Sequence, residues 1–292
     1  MRQTTILLLI ISSFSWGKVN IVASITDLAD IAAQVGGDRV SVTSIARGNQ
    51  DPHYVEILPS YMMKVRKADI YLEVGVELDL WARRIVDGSR NKHIKVIDCS
   101  VNIPKLEVPT GKIDASRGDI HRYGNPHYWL DPLNGKIIAE DITKALSAVD
   151  PAGRMIYEEN LRTLTNKIDS KVAEWLEEYS SLQREKVIFY HNSWPYFSKR
   201  FGLKVVAFIE PKPGIMPSPT HLQKLIEVIE AENIKVVAME PYFSDRAPQF
   251  LAQKTGIQVV TLAQSVGALS GADSYLQMIE LNLATLMEVL GK

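Results

Sequence analysis

From residue 19 onward the chain alternates short β-branched runs with amphipathic stretches, and this alternation limits its fold more than any other feature. Strands are predicted over residues 20–23, 40–45, 70–74 and 94–98, with helices between them over 26–35, 59–67 and 78–86. Gly36-Gly37 ends the first helix, because glycine accepts the backbone conformation of a helix stop. The pattern resumes with strands over 186–190, 204–209, 235–239 and 258–262 and helices near 195–201, 219–232, 247–255 and 274–290. Strands alternating with helices build parallel sheets covered on both faces. At 292 residues the chain exceeds one typical core. The expectation is an α/β protein of two lobes, each a central parallel sheet flanked by helices.

Between the halves, residues 151–183 carry the longest helical pattern, with apolar positions Met155, Leu161, Leu164, Ile168, Val172, Trp175 and Leu176. One helix of that length extends roughly 45 Å, enough to run along a two-lobed molecule. It is read as the connector between an N-terminal lobe at 18–150 and a C-terminal lobe at 184–292. A long helix resists bending, so limited lobe motion is expected. Residues 104–124 lack periodicity and read as a surface loop, followed by a helix over 133–149.

The first 17 residues read as an export leader: Arg2, an apolar stretch from Ile6 to Ile11, then the small residues Ser15 and Gly17. The apolar stretch is too short for a permanent membrane anchor. The only cysteine is Cys99, so no internal disulfide forms and no lipid-bearing cysteine stands at the processing site. A periplasmic protein free in solution is expected, and a monomer. A net charge of -1 supplies no basic footprint for nucleic acid.

Chemistry concentrates on histidines near strand ends. The segment Gly124-Asn125-Pro126-His127-Tyr128-Trp129-Leu130-Asp131-Pro132 holds an imidazole on a stiff turn before a helix whose N-cap is Asp131 and whose first residue is Pro132. His53 follows Asp51-Pro52, and His191 follows the strand at 186–190. Ligands of parallel α/β sheets bind beyond the carboxyl ends of strands, and all three histidines belong to that edge. One such histidine alone reads as a hydrogen-bonded polar residue. Three on equivalent loops, split between two lobes, read as a cleft site for a metal: zinc above all, with manganese or iron as alternatives. His93 and His221 read as surface residues, and so does His121, with an auxiliary ligand role as its alternative.

The segments Asn49-Gln50-Asp51-Pro52-His53, Asn125-Pro126-His127-Tyr128-Trp129-Leu130-Asp131-Pro132, Tyr190-His191 and Met239-Glu240-Pro241 resemble the signatures of the TroA-like (cluster A-I) zinc/manganese solute-binding proteins of ABC transporters. The resemblance runs in order along the whole mature chain. It implies two α/β lobes joined by a rigid helix, one metal in the cleft, His53, His127 and His191 as ligands, and delivery to the membrane permease of an ABC importer. Where that family commonly supplies an aspartate as fourth ligand, this chain has Gln264-Ser265. The fourth position therefore stands open to Glu240, to the Gln264 side-chain oxygen, to water, or to Asp273, whose spacing matches a separate helix-capping residue. Three imidazoles without a clear carboxylate favour zinc over manganese, which prefers more oxygen ligands. A secreted zinc-dependent hydrolase is the competing reading, since catalytic zinc also keeps an open position. Against it, neither His-Glu-x-x-His nor Gly-x-Ser-x-Gly occurs.

Overall fold

A computed structural model describes residues 17–110, 121–212 and 214–291; the leader expected over 1–17 falls outside them apart from Gly17. In the first half, strands β1 (Val19–Ala23), β2 (Val40–Ser44), β3 (Ile70–Glu73) and β4 (Lys95–Asp98) alternate with helices α1 (Thr26–Gly36), α2 (Pro59–Arg66) and α3 (Leu80–Ser89). Helices α4 (Pro132–Val149) and α5 (Arg154–Glu178) follow. The second half contains β5 (Lys186–Phe189), α6 (Pro195–Phe201), β6 (Lys204–Phe208), α7 (Pro219–Glu232), β7 (Val236–Met239), α8 (Arg246–Thr255), β8 (Gln258–Thr261) and α9 (Tyr275–Leu290).

The strands form two four-stranded sheets, all parallel, with the equivalent orders β2-β1-β3-β4 and β6-β5-β7-β8. Each order reverses beside its first strand, β1 or β5. Loops at that point splay apart at the carboxyl edge and leave room for a ligand. The α/β architecture expected from the alternation is therefore present in both halves. No helix among the described residues is long and apolar enough to cross a membrane.

Two helices differ from the sequence reading by more than one residue at an end. The predicted helix over 78–86 runs instead over Leu80–Ser89: after the left-handed Val76 and Glu77, with φ of 50° and 62°, Asp79 at φ -106° and ψ 46° still lies outside the helical region. The carboxylate of Asp79 organises that turn, accepting from the backbone N–H of Val74 at 2.7 Å and of Gly75 at 3.0 Å. The long helix α5 covers 25 residues rather than the whole of 151–183, because Pro151–Gly153 and Ser180–Leu182 tighten into 3-10 turns. Its buried stripe is Tyr157, Leu164, Ile168, Val172 and Trp175, while Met155 points to solvent at 83% exposure.

This stripe packs into a core that does not stop at the lobe boundary. One continuous apolar cluster joins Leu28, Leu72 and Ile138 of the first half to Ile168, Trp175, Ile279 and Leu283, and onward to Val187, Phe189, Val236 and Ala238 of the second sheet. The alternate residues Ile188, Val237 and Met239 face a separate core with Leu225, Ile229 and Leu251. The period of two along a strand thus divides the second sheet, one face joined to the first lobe and the other closed by α7 and α8.

Close backbone contacts reinforce that junction. Thr26 Oγ1 donates to the Val266 carbonyl at 2.7 Å, and the Val266 N–H donates to Asp27 Oδ1 at 3.1 Å. A Cβ on Gly48 would lie 2.1 Å from the Val266 carbonyl oxygen, so only glycine fits there. The Tyr275 hydroxyl, at the start of α9, donates to the Trp129 carbonyl at 2.6 Å.

Candidate metal centre

Each histidine is positioned by its own loop. His53 leaves the connection after β2, and its loop is pinned where Trp81 Nε1 donates to the Pro52 carbonyl at 2.9 Å. His191 lies two residues beyond β5, where Tyr190 N–H still donates to the Ala238 carbonyl at 2.8 Å. His127 precedes a 3-10 turn over Tyr128–Leu130 that leads into α4. Asp131 caps α4 as expected, accepting from Leu133 N–H at 3.0 Å. The same carboxylate receives Arg200 of α6 at 2.8 Å to each oxygen, a fork that ties this loop to the second half.

These loops bring His53, His127 and His191 to one point, with one ring nitrogen from each lying within 4.8 Å of the others. Ring centroids are 5.2 Å apart for His53 and His127, 5.4 Å for His53 and His191, and 5.7 Å for His127 and His191.

All three rings are oriented in the same sense. Asp51 Oδ1 accepts from the His53 backbone N–H at 2.9 Å and from its Nδ1 at 2.8 Å. Asn125 Oδ1 does the same for His127, at 3.0 Å in both cases. His191 Nδ1 meets Glu210 Oε2 at 2.6 Å, and that oxygen also accepts the Gly214 N–H at 3.1 Å. An acceptor that takes the Nδ1 proton leaves the lone pair on Nε2, which is how metal-binding histidines are held. His127 Nε2 is buried and has no hydrogen-bond partner. A buried nitrogen lone pair without a partner is costly, and a cation there would relieve the cost.

Asn125 also joins the two loops. Its Nδ2 donates to the Asn192 carbonyl at 2.8 Å, beside His191, and to Glu107 Oε2 at 3.1 Å. Asn192 Nδ2 reaches the same Glu107 oxygen at 2.8 Å.

The protonation states differ between the rings. Burial pushes the His127 imidazole well below its ordinary value, and the neighbouring His53, His191 and His121 add to this, so it stays neutral. Burial also opposes charge on His191, but the hydrogen bond to Glu210 and the nearby Glu240, Glu210 and Asp51 charges outweigh it and raise its pKa. The Asp51 carboxyl is held below its ordinary value, because its contacts with His53 overcome the opposing effect of burial.

Of the residues considered for a fourth position, Glu240 is fully buried, near enough to His191 to affect its charge, and outside the group of mutually close ligand atoms. Its Oε1 accepts from Trp194 Nε1 at 3.0 Å, Oε2 has no partner, and burial raises its pKa to about 7. Gln264 is buried, with Oε1 taken by the Tyr242 hydroxyl and its backbone carbonyl accepting from Trp129 Nε1 at 2.9 Å. Asp273 is exposed ahead of α9 and takes no part in the buried site. His93 is exposed, and His221 is half-buried with Nε2 against the Phe208 carbonyl at 3.1 Å.

His121 corrects the expectation of a solvent-facing residue. It is half-buried, its ring centroid lies 5.4 Å from that of His53, and the two Nε2 atoms are 3.3 Å apart. The sequence reading also passed over Asp51, Asn125 and Glu210 as ring-orienting residues. For the first two a signal was present: Asp51-Pro52-His53 and Asn125-Pro126-His127 are the same Asx-Pro-His unit. Glu210 comes from the next strand's loop and carries no local signal.

Two sheets of matching order sharing a core through a long helix, with imidazoles from both halves at one point, define a two-lobed α/β protein for binding a metal solute. A family model described as zinc-uptake complex component A, periplasmic, matches residues 21–289, and the chain belongs to that family. It is 29% identical over 288 residues to the manganese ABC transporter substrate-binding lipoprotein PsaA of Streptococcus mitis, covering 94% of this chain and 90% of the relative. The metal ABC transporter substrate-binding lipoprotein FimA of Streptococcus parasanguinis is 27% identical over 294 residues, covering 96% of this chain and 92% of its own. A crystal structure of ZnuA superposes with a TM-score of 0.82 at 26% identity, over 94% of this chain and 99% of that one. The protein is thus a metal-binding substrate-binding component of an ABC transporter, within a family of solute-binding proteins rather than enzymes.

Proposed function

We propose that this protein captures zinc between its lobes through His53, His127 and His191 and hands it to the membrane permease of an ABC importer. The observation that carries this reading is the common orientation of the rings. Each Nδ1 is committed to an acceptor, one ring nitrogen of each lies within 4.8 Å of the others, and among the described residues the group of close ligand atoms holds no carboxylate. Nitrogen donors of this kind suit zinc, whereas manganese favours oxygen. Manganese is the second reading, because relatives such as PsaA are named for it.

The domain reading that goes with this function has a lobe at 18–150, a connector over 151–183 and a lobe at 184–292. The shared core supports limited lobe motion, with release through loop movement near His127 or by the transporter drawing the lobes apart. A monomer in the periplasm, freed by cleavage of the leader, completes the proposal. The relatives named as lipoproteins make membrane attachment the contrasting possibility.

Titration calorimetry of metal-free protein tests the reading. One tight zinc site is expected, with weaker manganese binding. Equal zinc affinity in His127→Ala and His191→Ala variants would overturn the ligand assignment, and tighter manganese than zinc would overturn the choice of ion.

A further inference from the structure

We infer that His121 is a fourth imidazole of this site, making it an all-nitrogen tetrahedral centre that selects zinc-like ions against manganese. The inference rests on the reading that His53, His127 and His191 hold the ion, and it adds the residue that completes the set.

The geometry comes first. Zinc–nitrogen bonds of about 2.0–2.1 Å place two ligands of a tetrahedral ion about 3.3–3.4 Å apart. His53 Nε2 and His121 Nε2 lie 3.3 Å apart, so this pair already has the edge length of a zinc tetrahedron. Their planes are inclined by 31° with centroids 5.4 Å apart, so the rings meet edge to edge at their nitrogens and do not stack face to face.

Proton positions agree with the distance. Asp51 holds the His53 Nδ1 proton, so His53 Nε2 is an acceptor and the proton between the two rings belongs to His121 Nε2. A cation that enters replaces that proton as the partner of both nitrogens. His121 then carries its proton on Nδ1, in the same tautomer as the other three rings.

The backbone supports the placement. The His121 carbonyl accepts from Gly124 N–H at 3.3 Å, and Asn125 N–H donates to the Leu106 carbonyl at 2.8 Å. Arg122 N–H donates to Glu77 Oε2 at 2.8 Å. The turn that bears His121 is thereby fastened both to the first lobe and to the loop that presents His127.

Of the other donors, Gln264 Oε1 receives the Tyr242 hydroxyl, and Glu240 Oε1 receives Trp194 while its Oε2 has no partner. Like His121, neither belongs to the group of three mutually close ligands, but His121 alone of these has a nitrogen 3.3 Å from that of His53. Four neutral imidazoles offer no hard oxygen, the donor that manganese prefers. Asp51 and Glu210 then supply negative charge one bond further out, through the Nδ1 hydrogens.

The test uses the full mature chain and zinc alone. X-ray absorption at the zinc edge should count four imidazoles in wild type, and three plus a light oxygen in His121→Ala. Zinc affinity should fall about ten-fold or more in His121→Ala and His121→Asn, while manganese affinity changes less, so that the zinc-to-manganese ratio narrows. Both variants should keep the wild-type melting temperature without metal and bind one ion. Three imidazoles in the wild-type spectrum, or an unchanged zinc-to-manganese ratio in both variants, would overturn the inference while leaving the three-histidine site standing. Zinc binding that survives His127→Ala would overturn the underlying reading as well.

Discussion

The two halves of the molecule hold their imidazoles by different means. The first lobe uses a local device twice, in which a side chain two residues upstream receives both the ring and the backbone N–H of the histidine. The second lobe uses a tertiary one: Glu210, beyond β6, reaches the ring of His191 beyond β5. The acceptor for His127 is a neutral amide, whereas that for His191 is a carboxylate. His127 therefore stays neutral across ordinary pH, while His191 binds a proton more readily than a free histidine. The first lobe thus holds one ring, His127, that stays neutral, and the second holds one that takes up a proton more readily.

Removing either ring should have the largest effect. His127→Ala and His191→Ala are each expected to lower zinc affinity by roughly 100-fold or more, beyond the loss caused by an orienting partner. Calorimetric titration at pH 7.5 (a chosen assay condition, about one unit above free imidazole) measures it. A large difference between the two variants would show that the lobes contribute unequally.

Glu210→Gln should lower zinc affinity about 10- to 100-fold at neutral pH, because it weakens the basicity and orientation of His191. It should also move the acid limb of the pH profile. In wild type the raised His191 pKa makes protons compete with zinc from above 6.5 downward. Without the carboxylate that competition should begin at lower pH. Asn125→Asp should act in the opposite sense and bring proton competition at His127 to higher pH. An acid limb unmoved in both variants would remove the distinction between the lobes.

Gly48→Ala should leave the ligands intact and act on the lobe junction. Its Cβ meets the backbone at Val266, so overpacking should cost about 1–3 kcal/mol. A thermal melt of metal-free protein reads this, and an unchanged melting temperature would mean that the lobes move apart freely.

Asp27→Asn should change metal affinity least and stability most visibly with pH. Burial raises the Asp27 pKa from 3.8 to about 7, and its Oδ2 has no partner. A carboxyl whose folded-state pKa exceeds its unfolded value favours folding when protonated. Its contribution is therefore complete below 3.8 and declines as pH rises toward about 7. The amide has no such slope, so denaturant unfolding of metal-free Asp27→Asn should vary less with pH between those limits.

Much of the fold is carried by local pattern. All eight strands lie within one residue of their predicted bounds at each end. Parallel-sheet strands and amphipathic helices differ in hydrophobic period, which residues near in sequence display by themselves. The cap at Asp131 and the Asx-Pro-His turns are legible for the same reason, since donor and acceptor lie within a few residues. His121 was misplaced because the segment around it has no period, and its contact with His53 spans 68 positions.

The sequence by itself determined the strand–helix alternation, the two halves, and which imidazoles stand at strand ends. Tertiary structure alone decided that these imidazoles share one centre, that Glu210 takes the proton of His191, and that one core passes through both lobes. Periodicity reports which face of an element is apolar but not which partner covers it. Selecting among partners depends on packing and on hydrogen bonds such as Trp129 to Gln264, formed across 135 positions in the chain.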